Sequence, residues 1–250
     1  MRRSAGCVFI VALLLVTLLD GPLSAKENEA QESVAETSGA QVALSGVKVK
    51  LPPPNLKGTV TVEEAIKRRR TVRSFADTPL TLVQLSQLLW AAQGITDDAH
   101  HFKRAAPSAG ATYPIEIYLA CGDNSVKGLG AGVWRLSASE HSISRVRPDD
   151  QREALAKHSL HQMWAAKAPV TFVIVCEYSR TTGKYRERGV KYVHYEAGNV
   201  SQNIFLQCES LGLSAGIIGA FHDDEMSAAL GLPKSFEPLL SMPVGHKRSN

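Results

Sequence analysis

Hydrophobic and polar positions divide the chain into unlike stretches. Residues 8–19 are apolar, preceded by Arg2 and Arg3 and followed by Asp20 and the run Leu23-Ser24-Ala25. That is the layout of a secretory leader cleaved after Ala25, and it is shorter than the roughly 20 residues a spanning helix needs. Residues 26–58 are polar, poor in large apolar side chains and marked by Pro52-Pro53-Pro54, which predicts a flexible tether. From about Thr59 the pattern becomes periodic. Thr61 and Glu64 have capping-box spacing, and Val62, Ala65 and Ile66 supply one apolar face of a short helix. Thr81 and Gln84 repeat the signal ahead of Leu82, Leu85, Leu88, Leu89 and Ala92, with Gly94 as the stop. Alternation over 115–119 predicts a strand with one buried face, 132–136 a second strand, and 149–167 a helix. Residues 170–176 are apolar almost throughout, as a central strand covered on both faces would be. Val193, Ala197, Val200, Ile204, Cys208 and Leu211 then mark a long helix closed by Gly212. Helices and strands interleave, so the class is mixed α and β, in one domain over 59–250.

Composition narrows the classes. With 44% hydrophobic and 21% charged residues the chain can bury a full core. A formal net charge of +4 is too balanced for a genome-binding protein, so no nucleic acid is expected as partner. Cys7 lacks the context for lipid modification, and after leader removal no membrane anchor remains; export to the periplasm is expected. Cys121, Cys176 and Cys208 sit in apolar contexts with no paired spacing, which suits small core residues better than disulfides or zinc. His158 and His161, and His100 with His101, lack the carboxylate or thiolate that would complete a set, so no metal is expected.

The stretch RRRTVRSF, residues 68–75, puts four arginines at a helix exit. Arginine forks donate paired hydrogen bonds to phosphate and keep their charge. Read alone, the run also fits a solvated helix end whose cations complement the dipole. Further on come PSAGATYP from Pro107, EAGNVSQN from Glu196, GIIG from Gly216 and MPVGHK from Met242. These pieces, in this order from about Glu63 to Lys247, resemble the nitroreductase family of FMN enzymes, and most closely its azoline-oxidase (SagB-type dehydrogenase) branch.

The resemblance implies an α+β three-layer sandwich with a mainly antiparallel central sheet flanked by helices, and FMN as cofactor. It implies that Arg69 and Lys247, with His246 alongside, hold the FMN phosphate. Arg70, Thr71 and Arg73 then follow the ribityl chain and the pyrimidine edge, where a fixed cation stabilises the negative charge of reduced flavin. Pro107, Ser108, Ala109 and Gly110 form a small, sharply turned loop that lets backbone approach the ring, and Ile218 with Gly219 covers a ring face. In the family the Pro-Ser loop reaches the flavin of a second chain, so a homodimer is expected. Lys191 and Tyr192 match the pair that removes a proton in the azoline-oxidising branch; read alone, they are equally a solvated lysine and a packing tyrosine. Asn199 stands where relatives carry histidine. The expected activity is an exported FMN-dependent oxidoreductase that moves hydride between flavin and a small organic substrate. The electron donor or acceptor stays open, and the alternative is a flavin-fold protein that binds without turnover.

Overall fold

The computed structural model describes residues 46–97 and 103–248. The leader, the tether up to residue 45, and His100 with His101 lie outside the described residues. Seven strands form one sheet: β1 (Lys48–Lys50), β4 (Ile115–Cys121), β5 (Gly132–Ser137), β6 (Ser142–Arg147), β7 (Val170–Cys176), β8 (Ser214–Ala215) and β9 (Glu237–Gly245). Their order is β1-β6-β5-β4-β7-β9-β8, and every neighbouring pair is antiparallel. A small hairpin, β2 (Ile95–Asp97) with β3 (Lys103–Arg104), stands apart. The helices are α1 (Val62–Arg68), α2 (Leu82–Gln93), α3 (Arg152–His158), α4 (Ser179–Tyr185), α5 (Arg188–Ser210) and α6 (Asp223–Leu230). Among the described residues, no helix is long and apolar enough to cross a membrane.

β7 shows why the molecule has three layers. All seven of its residues are buried, and they divide by parity. Val170, Phe172, Ile174 and Cys176 face a core shared with Leu85, Leu88 and Leu89 of α2 and Val193, Ala197, Val200 and Ile204 of α5. Val173 and Val175 face the other side, against Leu155 of α3 and Met226 and Leu230 of α6. A strand alternates its side chains between faces, so a run buried at every position, apolar but for Thr171, is stable only between two helical layers. The expected α+β three-layer architecture is the one present. α1 and α2 begin at Thr61 and Thr81, each with a reciprocal capping box, and α2 ends at Gly94.

The structure corrects the expected boundaries in two places. Order begins before Thr59: β1 pairs with β6 in the register Lys48↔Ser144, Val49↔Ile143, Lys50↔Ser142, and Leu51 is only 3% exposed. Ser86 Oγ donates to Pro52 O at 2.6 Å, so the proline run is fastened to α2 rather than free. Residues 46–58 of the expected tether therefore belong to the fold. The apolar alternation of Val47, Val49 and Leu51 carries them, although it is too short to stand out in a polar context. The expected helix over 149–167 is α3 followed by a 3-10 turn, Met163–Lys167. Leu160 and His161 between them have φ of 51° and 58°, left-handed values that end a right-handed helix. The break lets Trp164 leave the α3 axis and stack on Phe75, with ring centroids 6.4 Å apart.

Candidate functional site

Each end of α5 organises a different set of side chains. At its C-terminal end, α1 delivers the arginine run. Arg69 is the C-cap of α1, its backbone N–H bonded to Ala65 O. The chain then turns extended and is laced on by backbone hydrogen bonds. Val72 N donates to Ala215 O at 2.9 Å, Ala76 N to His246 O at 2.9 Å, and Arg248 N to Ser74 O at 3.2 Å. Phe75 bridges Lys247 and Thr71 bridges Ala215. Segments about 170 residues apart in the chain thus become neighbours, and Arg69, Arg70 and Lys247 come to one corner of the fold.

Their charges meet at Glu209, a residue that sequence reasoning passed over. Burial raises its carboxyl pKa, and Arg68, Arg69, Arg70 and Lys247 all pull it back down. The Arg69 guanidinium lies 5.2 Å from the Phe205 ring centroid, which fixes the direction of its fork. Arg70 Nη1 donates to Lys67 O at 3.0 Å and to Arg69 O at 2.8 Å, closing helix carbonyls left open at the C-terminus. Arg73 lies 5.7 Å from the Trp164 ring. Lys247 is exposed and His246 half-buried. Gly216 packs beneath this corner, where a Cβ would come within 2.6 Å of the Trp164 ring and 2.9 Å of Val72 O. Ile218 is 3% exposed and exchanges hydrogen bonds of 2.8 and 2.9 Å with Ser241, while Gly219 beside it is exposed.

The Pro107–Gly110 segment is supported differently, by side chains of α4 and by Arg104 of β3. Gly110, Ala111 and Tyr113 have φ of 60°, 55° and 45°. Only glycine takes that region without strain, so the loop needs outside support. Tyr113 N donates to Ser108 Oγ at 2.9 Å, Thr112 Oγ1 meets Thr181 Oγ1 at 2.8 Å, and Lys184 Nζ donates to Gly110 O at 3.4 Å. Arg180 Nη1 donates to Tyr113 O at 3.1 Å, and the Arg104 guanidinium lies 4.4 Å from the Tyr113 ring centroid. A Cβ at Gly110 would fall 2.4 Å from the Tyr185 hydroxyl and 2.6 Å from Lys184 Nζ. Pro107 and Gly110 are exposed, Ser108 and Ala109 half-buried.

Lys191 and Tyr192 lie near the N-terminus of α5. Tyr192 is half-buried, edge-on to Tyr185 at 5.1 Å and 85°, with the Arg188 guanidinium 5.7 Å from its ring. Lys191 is exposed. Fourteen residues separate Lys191 from Phe205, about 21 Å along the axis at 1.5 Å per residue. The arginine corner and the Lys191-Tyr192 pair are therefore distant within one chain. Among the described residues, no three His, Cys, Asp or Glu side chains group as metal ligands do. Trp164, Phe205 and Glu209 were missed because their proximity depends on the α3 break and the lacing of the termini, neither of which has a local sequence signal.

The Nitroreductase family pattern matches residues 66–246. A protein of Methanocaldococcus jannaschii named "Putative nitroreductase MJ1384" is 44% identical over 188 residues, covering 75% of this chain and 92% of that one. The trifolitoxin-processing protein TfxB of Rhizobium leguminosarum bv. trifolii is 27% identical over 154 residues, 60% of this chain and 41% of that protein. The E. coli microcin synthetase complex McbBCD, solved with truncated pro-MccB17 bound, contains a chain that superposes with a TM-score of 0.64 at 19% identity, covering 91% of this chain and 99% of that one. With seven-tenths of its length inside the family pattern and its motifs arranged around one antiparallel sheet, the chain belongs to the nitroreductase family.

Proposed function

We propose that the protein is an exported FMN-dependent oxidoreductase of the azoline-oxidase (SagB-type dehydrogenase) branch, acting on a small organic substrate. The observation that carries this reading is the lacing of residues 71–76 to β8 and to the C-terminal tail, which gathers Arg69, Arg70 and Lys247 around Glu209. The donor set fits a phosphate: permanently charged forks beside a flexible ammonium, at an accessible corner. Arg69 and Lys247, with His246 alongside, would hold the phosphate, Arg70 would follow the ribityl chain, and Gly216, whose position leaves no room for a side chain, would keep the adjoining wall flat. Bound there, FMN would supply two-electron hydride chemistry. Arg73, fixed near Trp164, would set the charge beside the ring, and the exposed Pro107–Gly110 edge would meet a flavin face.

The remaining chemistry is proton handling. When hydride leaves a substrate carbon, the adjacent N–H or C–H must lose its proton, and Lys191 or Tyr192 would accept it. A lysine base must be partly desolvated, whereas Lys191 is exposed in one chain. A second copy answers both this and the 21 Å separation. Val62 and Ile66 of α1, with Leu56 and Val83, are 64%, 56%, 73% and 59% exposed, an apolar surface beside the arginine corner. A symmetric homodimer whose interface runs from this face along α5 would cover it and bring the loop and Lys191-Tyr192 of one protomer toward the flavin of its partner. The leader pattern of residues 1–25 supports export, which would remove the protein from the nicotinamide pool; a bound flavin would then take its electrons from the substrate and pass them to oxygen, a quinone or a redox partner. Lys191 exposure also favours a second reading, a flavin-fold binder without turnover. Purification of the full chain followed by anaerobic mixing tests both. A colourless protein that takes up no FMN defeats both readings. A yellow protein reduced by no heterocyclic substrate leaves the binder.

A further inference from the structure

A carboxyl group lies under the Pro107–Gly110 loop where an apolar side chain would be cheaper. Glu196 projects from α5 and is 2% exposed. The Ser108 and Gln93 side chains both lie close enough to act on its carboxyl, and Oε1 has no hydrogen-bond partner. Two further buried atoms in the same cluster, Gln93 Nε2 and Arg104 Nε, also lack partners. Arg104 Nη1 donates to Gln93 Oε1 at 3.0 Å, and the Arg104 guanidinium acts electrostatically on Glu196. Burial raises the Glu196 carboxyl pKa against the pull of Ser108, Gln93 and Arg104, and burial also lowers that of Arg104. Burying a partly satisfied carboxyl costs stability, whereas a leucine there would join Val193, Ala197 and Val200 in the core. Such a cost persists where a group fixes a geometry that nothing else fixes.

The geometry in question is the left-handed turn. Ser108 Oγ accepts from Tyr113 N, which holds Tyr113 at φ 45°, and the same hydroxyl lies close enough to the Glu196 carboxyl to act on it. Without an acceptor on α5 the Ser108 side chain loses a contact that favours this rotamer, and Oγ is held less firmly opposite Tyr113 N. The Arg104 guanidinium, which also acts on Glu196, lies 4.4 Å from the Tyr113 ring centroid, so both charged groups of the cluster bear on that residue.

We infer that Glu196 is a positioning residue: through Ser108 it locks the strained Pro107–Tyr113 loop in the form that receives the flavin. This rests on the FMN reading above. The test compares Glu196→Gln, which keeps an acceptor oxygen, with Glu196→Leu, which fills the space without one, and with Ser108→Ala and the Glu196→Leu/Ser108→Ala double variant. FMN affinity is titrated by flavin fluorescence, and each apoprotein is melted without FMN. Glu196→Gln should bind FMN within about threefold of wild type, while Glu196→Leu and Ser108→Ala each lose about tenfold, the effect of one hydrogen bond. The double variant should be no weaker than either single one, because both cut the same link. The Glu196→Leu apoprotein should melt at or above the wild-type temperature, which separates loop positioning from folding. Wild-type affinity in Glu196→Leu, equal losses in the Gln and Leu variants, or additive losses in the double variant would overturn the inference alone. Wild type that takes up no FMN overturns the flavin reading, and this inference with it.

Discussion

The two halves of the candidate site are held by different forces. Residues 71–76 are laced to β8 and the C-terminal tail through main-chain hydrogen bonds, which do not depend on side-chain identity. The loop around Gly110 is held mainly by side chains, from Ser108, Thr112, Thr181, Arg180, Lys184 and Arg104, around three left-handed residues. The arginine corner should therefore tolerate substitution of its charged groups without unfolding, so that each variant reports on ligand binding alone. The loop should not: its substitutions change geometry first and binding as a consequence.

Gly110→Val gives the largest effect and breaks the loop half directly. It places a β-branched residue at φ 60° with its Cβ 2.4 Å from the Tyr185 hydroxyl. A cost of about 2–3 kcal/mol in urea unfolding is expected, together with loss of bound flavin. A flavin-loaded variant of wild-type stability would show that the loop conformation is not needed. Next comes the proton-handling pair. Lys191→Met should leave FMN content intact and lower the rate of flavin reduction by substrate about 100-fold, in line with loss of general-base catalysis. Retention of the rate would return Lys191 to the solvated surface where a single chain puts it.

The smallest effect sharpens the arginine half. Glu209 is an acid among cations that would otherwise face a phosphate, so Glu209→Gln should raise FMN affinity about threefold. Its carboxyl pKa is raised chiefly by burial, so the folded state holds that proton to a higher pH than the unfolded chain does. Ionisation then costs the native state stability above the raised pKa. Glu209→Gln should accordingly be slightly more stable than wild type at pH 7, and that advantage should vanish once pH falls below the ordinary carboxylate range, where both states are protonated. Parallel melting curves across pH check the sign.

How much of this was legible beforehand follows the same division. Elements with their own local code were readable: the capping boxes at Thr61 and Thr81, the two-sided burial of Val170–Cys176, and the stripe from Val193 to Leu211. β9 was not, because Pro238 and Pro243 argue against a sheet interior, yet it lies between β7 and β8. The strand tolerates Pro238 where a register shift interrupts the β7 pairing, between Ile174 and Val175. β1 was hidden by its three-residue length, and the α3 break by two left-handed residues, Leu160 and His161, that no glycine announces. At the site, Arg69, Ser108 and Gly110 came from the family resemblance, while the burial of Glu196 and the charge environment of Glu209 are tertiary facts. Local periodicity does not carry these, since α5 shows the same stripe whether residue 196 is a structural apolar group or a buried acid.

The proposed export gives a kinetic prediction independent of either half. Because the nicotinamide pool stays inside the cell, anaerobic stopped-flow mixing with millimolar NADH or NADPH should leave the flavin oxidised over seconds. Bleaching within one second would instead make the protein a nicotinamide-driven reductase.

The central claim is that the two ends of the fold clamp one phosphate, and its direct measurement is a paired titration with FMN and riboflavin, which differ only in that group. Wild type should prefer FMN by at least tenfold, because a charge-assisted hydrogen bond contributes about 1.5–3 kcal/mol. Arg69→Ala and Lys247→Ala should each erode that preference while leaving riboflavin affinity unchanged. Equal affinity of wild type for the two flavins, or equal losses for both in the variants, would contradict the clamp.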